Sequence, residues 1–114
     1  MPYLHIRTNQ PVADSDRPGL LEQASATVAE ALGKSQRYVM VSLEVNADMR
    51  FAGDSTPLAY LELKSIGLPE DGTVALSEAL CALVEQALGV TPERTYIELS
   101  NAPRHLWGWN RGTF

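Results

Sequence analysis

Alternating apolar and polar residues mark four short segments of the chain as β-strands. In the first, residues 3–8, Leu4, Ile6 and Thr8 alternate with polar or aromatic neighbours, which is typical of a strand covered on one face. A similar alternation occupies residues 39–45, and a turn over residues 53–57 precedes a third predicted strand, residues 58–66. A short fourth strand is predicted over residues 95–99.

Two longer segments repeat their apolar residues with the spacing of an amphipathic helix. The first begins near Pro18 and ends at Gly33, with Asp16 as its expected N-cap. Its apolar residues are Leu20, Ala24, Val28, Ala31 and Leu32. The second ends at Gly89 and carries Leu76, Leu80, Leu83, Val84, Ala87 and Leu88. We predict one helix in each segment.

The two halves of the chain share this pattern at an offset of 56 residues. Leu20 falls on Leu76, Gly33 on Gly89, and the strand residues match in register. This predicts an α+β fold of two duplicated βαβ units, forming a four-stranded mixed sheet with both helices on one face. The other face is left bare, and we expect it to meet solvent or other subunits. Tyr60, Met40 and Tyr96 give this bare face some apolar character.

Composition narrows the class of protein. The chain has 114 residues, 45% hydrophobic and 20% charged, as expected for a single globular domain spanning residues 1–114. Its net charge of -5 argues against a nucleic-acid or anionic membrane partner. No segment has the apolar length of a membrane span or signal peptide, which favours a cytoplasmic location. Cys81 is alone, and His5 and His105 have no partner at metal-ligand spacing, so no metal site is predicted.

Pro2 is the residue of this chain best suited to act as a base. Removal of Met1 would leave a chain that begins with a secondary amine, and an apolar pocket or a nearby cation lowers the pKa of an amine. Such a group could act as a base near neutral pH. Lys34 lies directly after the first helix, and by itself this position favours a solvated residue that complements a helix C-terminus.

Several short motifs occur together in an order found in one known family. They are Met1-Pro2, Thr8-Asn9 with Pro11, Gly33-Lys34, Tyr38, Ser65-Ile66-Gly67, Leu80-Cys81, Tyr96-Ile97, Gly108-Trp109-Asn110 and Thr113-Phe114. In these motifs the whole chain resembles the macrophage migration inhibitory factor family of the tautomerase superfamily. The resemblance implies a homotrimer with pockets at the subunit interfaces, each beside an N-terminal proline.

The resemblance also implies a function and a set of site residues. It implies keto-enol tautomerase activity on phenylpyruvate-like α-keto acids, with no metal or organic cofactor. Pro2 would be the catalytic base, and Lys34 would bind the substrate carboxylate. Ile66, within Ser65-Ile66-Gly67, would contact the substrate through its backbone amide. Four aromatic positions would wall the pocket: Tyr38, Tyr96, Trp109 and Phe114.

Two departures from the family pattern affect the predicted activity and pocket. Glu98 replaces an asparagine and by alternation shares a face with Tyr96, so we expect it in the pocket, where its charge would oppose an α-keto carboxylate and weaken the activity. Trp107 replaces a smaller residue and is expected to narrow the pocket. A carboxylate opposite Pro2 could instead activate water, as a hydratase or dehalogenase would require.

A non-enzymatic function stays open. The chain could be a cytokine-like module that binds a receptor through its outer surface, with a vestigial pocket and export without a signal peptide. The Cys-x-x-Cys pair of the family's thiol-disulfide member is replaced by Pro57-Leu58-Ala59-Tyr60, which excludes redox chemistry of that type. The sequence identifies no receptor.

Overall fold

The computed structural model describes all 114 residues and has the two predicted β-α-β units. The first consists of β1 (Tyr3–Thr8), α1 (Arg17–Leu32) and β2 (Met40–Glu44). The second consists of β3 (Ala59–Ile66), α2 (Thr73–Leu88) and β4 (Thr95–Ala102). A small hairpin of β5 (Gly108–Trp109) and β6 (Gly112–Thr113) follows. This hairpin and the 3-10 turn before it, Arg104–Leu106, lie outside the duplicated pattern.

The 56-residue offset holds in the structure as well as in the sequence. It carries the bounds of α1 onto those of α2, and the short 3-10 turn before each helix, Asp14–Asp16 or Glu70–Gly72, also corresponds. Both helices end at a left-handed glycine, with φ of 62° at Gly33 and 68° at Gly89. A side chain is disfavoured in this conformation, so glycine is the natural residue to end each helix.

The four long strands form one mixed sheet in the order β2-β1-β3-β4. Strands β1 and β2 are parallel, as are β3 and β4, while β1 and β3 pair antiparallel. Both helices pack on one face, where fully buried Leu4, Ile6, Leu61 and Leu63 meet Val28, Leu80 and Val84. Neither helix combines the length and apolar character required to traverse a bilayer.

Some predicted boundaries were inaccurate, for reasons of pairing and capping. Strand β4 continues three residues beyond Leu99, because it pairs with β3 as far as Ile66 opposite Ala102. Strand β2 is shorter by one residue at each end than the alternating run. Asp16 occupies the N-cap position of α1, but its side chain makes no capping hydrogen bond since a 3-10 turn precedes the helix. Strand pairing and preceding turns therefore set these limits.

The sheet face away from the helices is more polar than predicted. Met40 and Tyr96 lie exposed on it, as expected. The same face, however, carries hydrogen bonds and ion pairs that join neighbouring strands. Tyr60 Oη donates to Glu98 Oε2 at 2.9 Å, and Arg7 Nε donates to Glu44 Oε1 at 3.2 Å. The hydrogen bond to Glu98, the largest cause, raises the pKa of Tyr60 to about 12.

Candidate functional site

Pro2 lies directly before β1 and is held in place by the sheet. Its carbonyl oxygen accepts a hydrogen bond from the backbone N–H of Met40, at 3.0 Å, which extends the β1–β2 pairing by one step. The side chain of Pro2 is fully buried. The first residue of a processed chain would therefore have a defined position at the end of the central strands.

An open cavity of about 440 Å³ adjoins this end of the sheet. It brings Pro2 together with three of the predicted aromatic residues, Tyr38, Trp109 and Phe114. The remaining lining residues are Met1, Tyr3, Arg37, Val39, Met40, Trp107 and Gly108. Trp107 thus borders the cavity that it was expected to narrow. Most of the lining is apolar or aromatic, which suits a partly hydrophobic ligand.

The aromatic wall is built by the small hairpin that follows β4. Trp109 and Phe114 stack with ring centroids 5.4 Å apart, and Tyr38 meets Trp109 edge-on at 6.2 Å. The backbone N–H of Phe114 donates to the carbonyl of Trp107 at 3.2 Å. Sequence reasoning missed this hairpin. Its signal was Asn110-Arg111, a two-residue turn with positive φ at both positions.

Lys34 and Ile66 come together beside the N-terminus. Gly33 turns the chain at the end of α1, and the Lys34 N–H bonds back to the carbonyl of Ala29 at 2.9 Å. The Lys34 ammonium then reaches across to donate to the carbonyl of Ile66 at 2.6 Å. Ser65, which is fully buried, donates to the same carbonyl at 3.2 Å. Lys34 is therefore held in place rather than solvated at a helix end.

The surroundings of the N-terminal amine lower its pKa. In this chain the amine belongs to Met1, and Pro2 nitrogen is part of a peptide bond. Burial lowers the pKa of the Met1 amine, and the charge and hydrogen bonding of Lys34, with the charge of Arg104, lower it further. Each of these effects disfavours the protonated form.

Two predicted site residues lie elsewhere within one chain. Tyr96 and Glu98 are on β4, at the sheet edge two strands away from β1, and neither lines the cavity. The Tyr96 ring packs against Phe51 at a centroid distance of 4.7 Å, and Glu98 is bonded to Tyr60 and Ser100. Their participation in a pocket beside Pro2 requires a second chain.

Sequence reasoning missed two cationic residues near the cavity. Arg37 lines it, and Arg104 donates from Nε to a main-chain oxygen of Phe114, the last residue of the chain, at 3.3 Å. The sequence signal was their position: Arg37 lies three residues after Lys34, and Arg104 lies shortly before the Trp107 to Trp109 segment. No group of three or more His, Cys, Asp and Glu side chains is arranged to hold a metal ion.

Comparison with known proteins places this geometry in a family. A family model described as macrophage migration inhibitory factor (MIF) matches residues 1–114. MIF of Meriones unguiculatus is 34% identical over 115 residues, and a MIF homolog of Brugia malayi is 35% identical over 116; each alignment covers 100% of this chain and 99% of the relative. The crystal structure of a MIF homologue from Prochlorococcus marinus is 40% identical, with a TM-score of 0.91 and 98% of each chain covered. The chain therefore belongs to the macrophage migration inhibitory factor family.

Proposed function

We propose that the processed chain is a keto-enol tautomerase that acts on phenylpyruvate-like α-keto acids, with Pro2 as its base. In this reaction the amine removes a proton from the carbon next to the keto group, the electron pair forms a carbon–carbon double bond, and the oxygen gains a proton. The observation that carries the proposal is that Pro2 is buried at an aromatic cavity, while Lys34 lies close to the amine of the preceding residue, Met1.

Removal of Met1 is the first requirement. With Met1 attached, Pro2 nitrogen is an amide without a proton-accepting lone pair. The Met1 amine lies close enough to Lys34 for that side chain to lower its pKa, so Met1 occupies space beside the lysine. Loss of Met1 would expose the prolyl amine in the same surroundings. Burial and the charge of Lys34 would favour the neutral, reactive form of the amine.

The remaining parts of the site match the two ends of the substrate. The Lys34 ammonium has two N–H groups beyond the one bound to Ile66, and these would hold the α-keto carboxylate. Tyr38, Trp109 and Phe114 would contact the phenyl ring and exclude water around the amine. Charge at one end and an aromatic wall at the other would orient the reacting carbon toward Pro2.

A homotrimer would complete the pocket. Strand β4 is an edge strand with exposed Tyr96, and an unpaired edge of this kind invites pairing or packing with another chain. We propose that a neighbouring chain brings Tyr96 and Glu98 to the cavity. The Glu98 carboxylate would then oppose the substrate carboxylate and raise the pKa of the prolyl amine, so the proposed activity is weak but measurable.

The test is turnover of phenylpyruvate by protein whose intact mass proves that Met1 is absent. Wild type should accelerate enolisation above the buffer rate, and Pro2→Gly should fall close to that rate. Pro92→Gly is the matched control, because Pro92 is exposed and lies in the turn before β4. Equal activity in wild type and Pro2→Gly would show that Pro2 is not the base, and sedimentation as single chains would reject the shared pocket.

A further inference from the structure

The Lys34 ammonium takes its position from the end of β3. It donates to the Ile66 carbonyl at 2.6 Å, and Ile66 is the last residue of β3 that pairs with β4, opposite Ala102. The four-carbon stem of a lysine is flexible, so the ammonium stays in place because this carbonyl holds it. A shift of the main chain at Ile66 would therefore move the positive charge that lies beside the N-terminal amine.

The chain leaves the sheet immediately after Ile66. Gly67 has a left-handed backbone, with φ of 66°, and the next side chain, that of Leu68, is buried in the core. The pairing of β3 with β4 ends at Ile66, so the Leu68 N–H needs another partner. It donates to Asn101 Oδ1 at 3.1 Å. A side chain of β4 thus continues the contact between the two strands after their main-chain pairing has ended.

Both ends of the Asn101 amide group form hydrogen bonds. Besides accepting from Leu68, the side chain donates from Nδ2 to Glu70 Oε2 at 3.1 Å, at the start of the 3-10 turn Glu70–Gly72. A main-chain N–H can only donate and an ionised carboxylate can only accept, so the two partners fix the orientation of the amide. Alanine would bind neither partner, and a carboxylate at this position would repel Glu70. Asn101 therefore joins the residues that follow β3 to the turn that leads into α2.

We propose that Asn101 is a positioning residue for the tautomerase: it fixes the turn after Ile66 and thereby the carbonyl that holds Lys34. This role rests on the proposed function, in which Lys34 binds the substrate carboxylate. Asn101 does not line the cavity and acts through Ile66 and Lys34. It lies three residues after Glu98 on β4, so alternation places the two side chains on opposite faces of the sheet. Its contribution is therefore separate from the charge that Glu98 would bring to a shared pocket.

The first variant is Asn101→Ala, which removes both bonds without adding a charge. In processed protein it should raise KM for phenylpyruvate about fivefold, the effect of one typical hydrogen bond. The value of kcat should change little, because Lys34 would bind the carboxylate before and during the reaction. The pKa of the N-terminal amine should rise, by less than in Lys34→Ala, because the cation is displaced and not lost. The acid limb of the kcat/KM profile should then move to higher pH.

The second variant restores both bonds with one donor and acceptor exchanged. In Asn101→Asp/Glu70→Gln the aspartate still accepts from the Leu68 N–H, the glutamine amide donates to the aspartate, and the net charge equals that of wild type. KM and the pH profile should return close to the wild-type values, whereas Asn101→Asp alone should be impaired because two carboxylates face each other. Asn46→Ala is the matched control. Asn46 is exposed after β2 with φ of 54°, so alanine there should lower stability but leave KM and the pH profile in place.

The outcomes distinguish positioning from stability and from the proposed function. Unchanged KM and pH profile in Asn101→Ala, whatever its stability in urea, would overturn the inference, and so would a double variant no better than Asn101→Asp. If wild type turns over no phenylpyruvate, the tautomerase proposal fails, and NMR titration of the N-terminal amine then tests the positioning of Lys34 directly. A higher pKa of this amine in Asn101→Ala than in wild type would support the positioning, and equal pKa values would overturn it.

Discussion

Arg94 holds together a loop that the sequence alone leaves undefined. Its side chain, only 14% exposed, donates from Nε to the Pro57 carbonyl and from Nη1 to the Phe51 carbonyl, both at 3.1 Å. Nη2 donates to the Thr56 carbonyl at 2.9 Å and forms an ion pair with Asp54. The guanidinium also lies 5.2 Å from the Phe51 ring centroid. Arg94 therefore connects the start of β4 to residues 51–57.

The cost of removing this side chain follows from the two partly buried bonds. A hydrogen bond from a charged donor contributes about 1.5–3 kcal/mol. We assign each of the two bonds to Phe51 and Pro57 the lower end of this energy range. The exposed contacts are assigned no energy, because water can replace those contacts. Arg94→Ala should then lower the free energy of unfolding by about 3 kcal/mol. Arg94→Lys keeps the charge but cannot reach several carbonyls at once, so its loss should be intermediate.

Urea denaturation at a fixed protein concentration measures this difference, since any assembly makes stability depend on concentration. Arg50→Ala is the matched control: Arg50 is an exposed arginine of the same loop with one bond to Gly53, and its loss should change stability by less than about 0.5 kcal/mol. An Arg94→Ala protein within about 1 kcal/mol of wild type would show that water satisfies the loop equally well, contrary to our reasoning.

Three further outcomes are expected. Lys34→Ala removes a positive charge that lowers the pKa of the N-terminal amine; this pKa should rise, so the acid limb of the kcat/KM profile of processed protein should move to higher pH, because only the neutral amine is a base. Glu98→Asn should increase phenylpyruvate turnover, which initial rates at saturating and limiting substrate would measure. Leu61→Ala removes a fully buried side chain and should cost about 2–5 kcal/mol in urea denaturation.

Each of these outcomes has a clear opposite. A pH profile that stays in place, or moves to lower pH, in Lys34→Ala would separate the lysine from the titrating amine. Unchanged or lower turnover in Glu98→Asn would argue against a carboxylate that opposes the substrate. A loss below about 1 kcal/mol in Leu61→Ala would mean that the core collapses around the missing side chain.

The duplicated architecture could be predicted from the chain because its signals are local. Helix periodicity and a glycine after each helix define α1 and α2, and the left-handed backbone at Gly33 and Gly89 is the physical reason for those glycines. Strand alternation placed Leu4 and Ile6 on the buried face, where the structure has them. The repeat at 56 residues then limited the possible topologies to very few.

Strand ends and the open sheet face depended on partners distant in sequence. Strand β4 runs to Ala102 because β3 supplies pairing partners up to Ile66, a fact that no local pattern contains. Residues on the open face, such as Tyr60 and Glu98, form hydrogen bonds with each other across neighbouring strands. The apolar or acidic character of each residue alone therefore did not predict how polar this surface is.

The amino-acid sequence by itself determined the two helices, the four long strands and their order. Its resemblance to the family supplied the candidate residues Pro2, Lys34, Tyr38, Trp109 and Phe114. Only the tertiary structure decided which of them meet. Pro2, the three aromatic residues and Arg37 border one cavity, and Lys34 stands beside the N-terminal amine, while Tyr96 and Glu98 remain on the far edge of the sheet. Local periodicity depends only on residues that are neighbours along the chain. A site depends on how the strands pair and where the terminal hairpin folds back, because tertiary packing sets the distances between its residues.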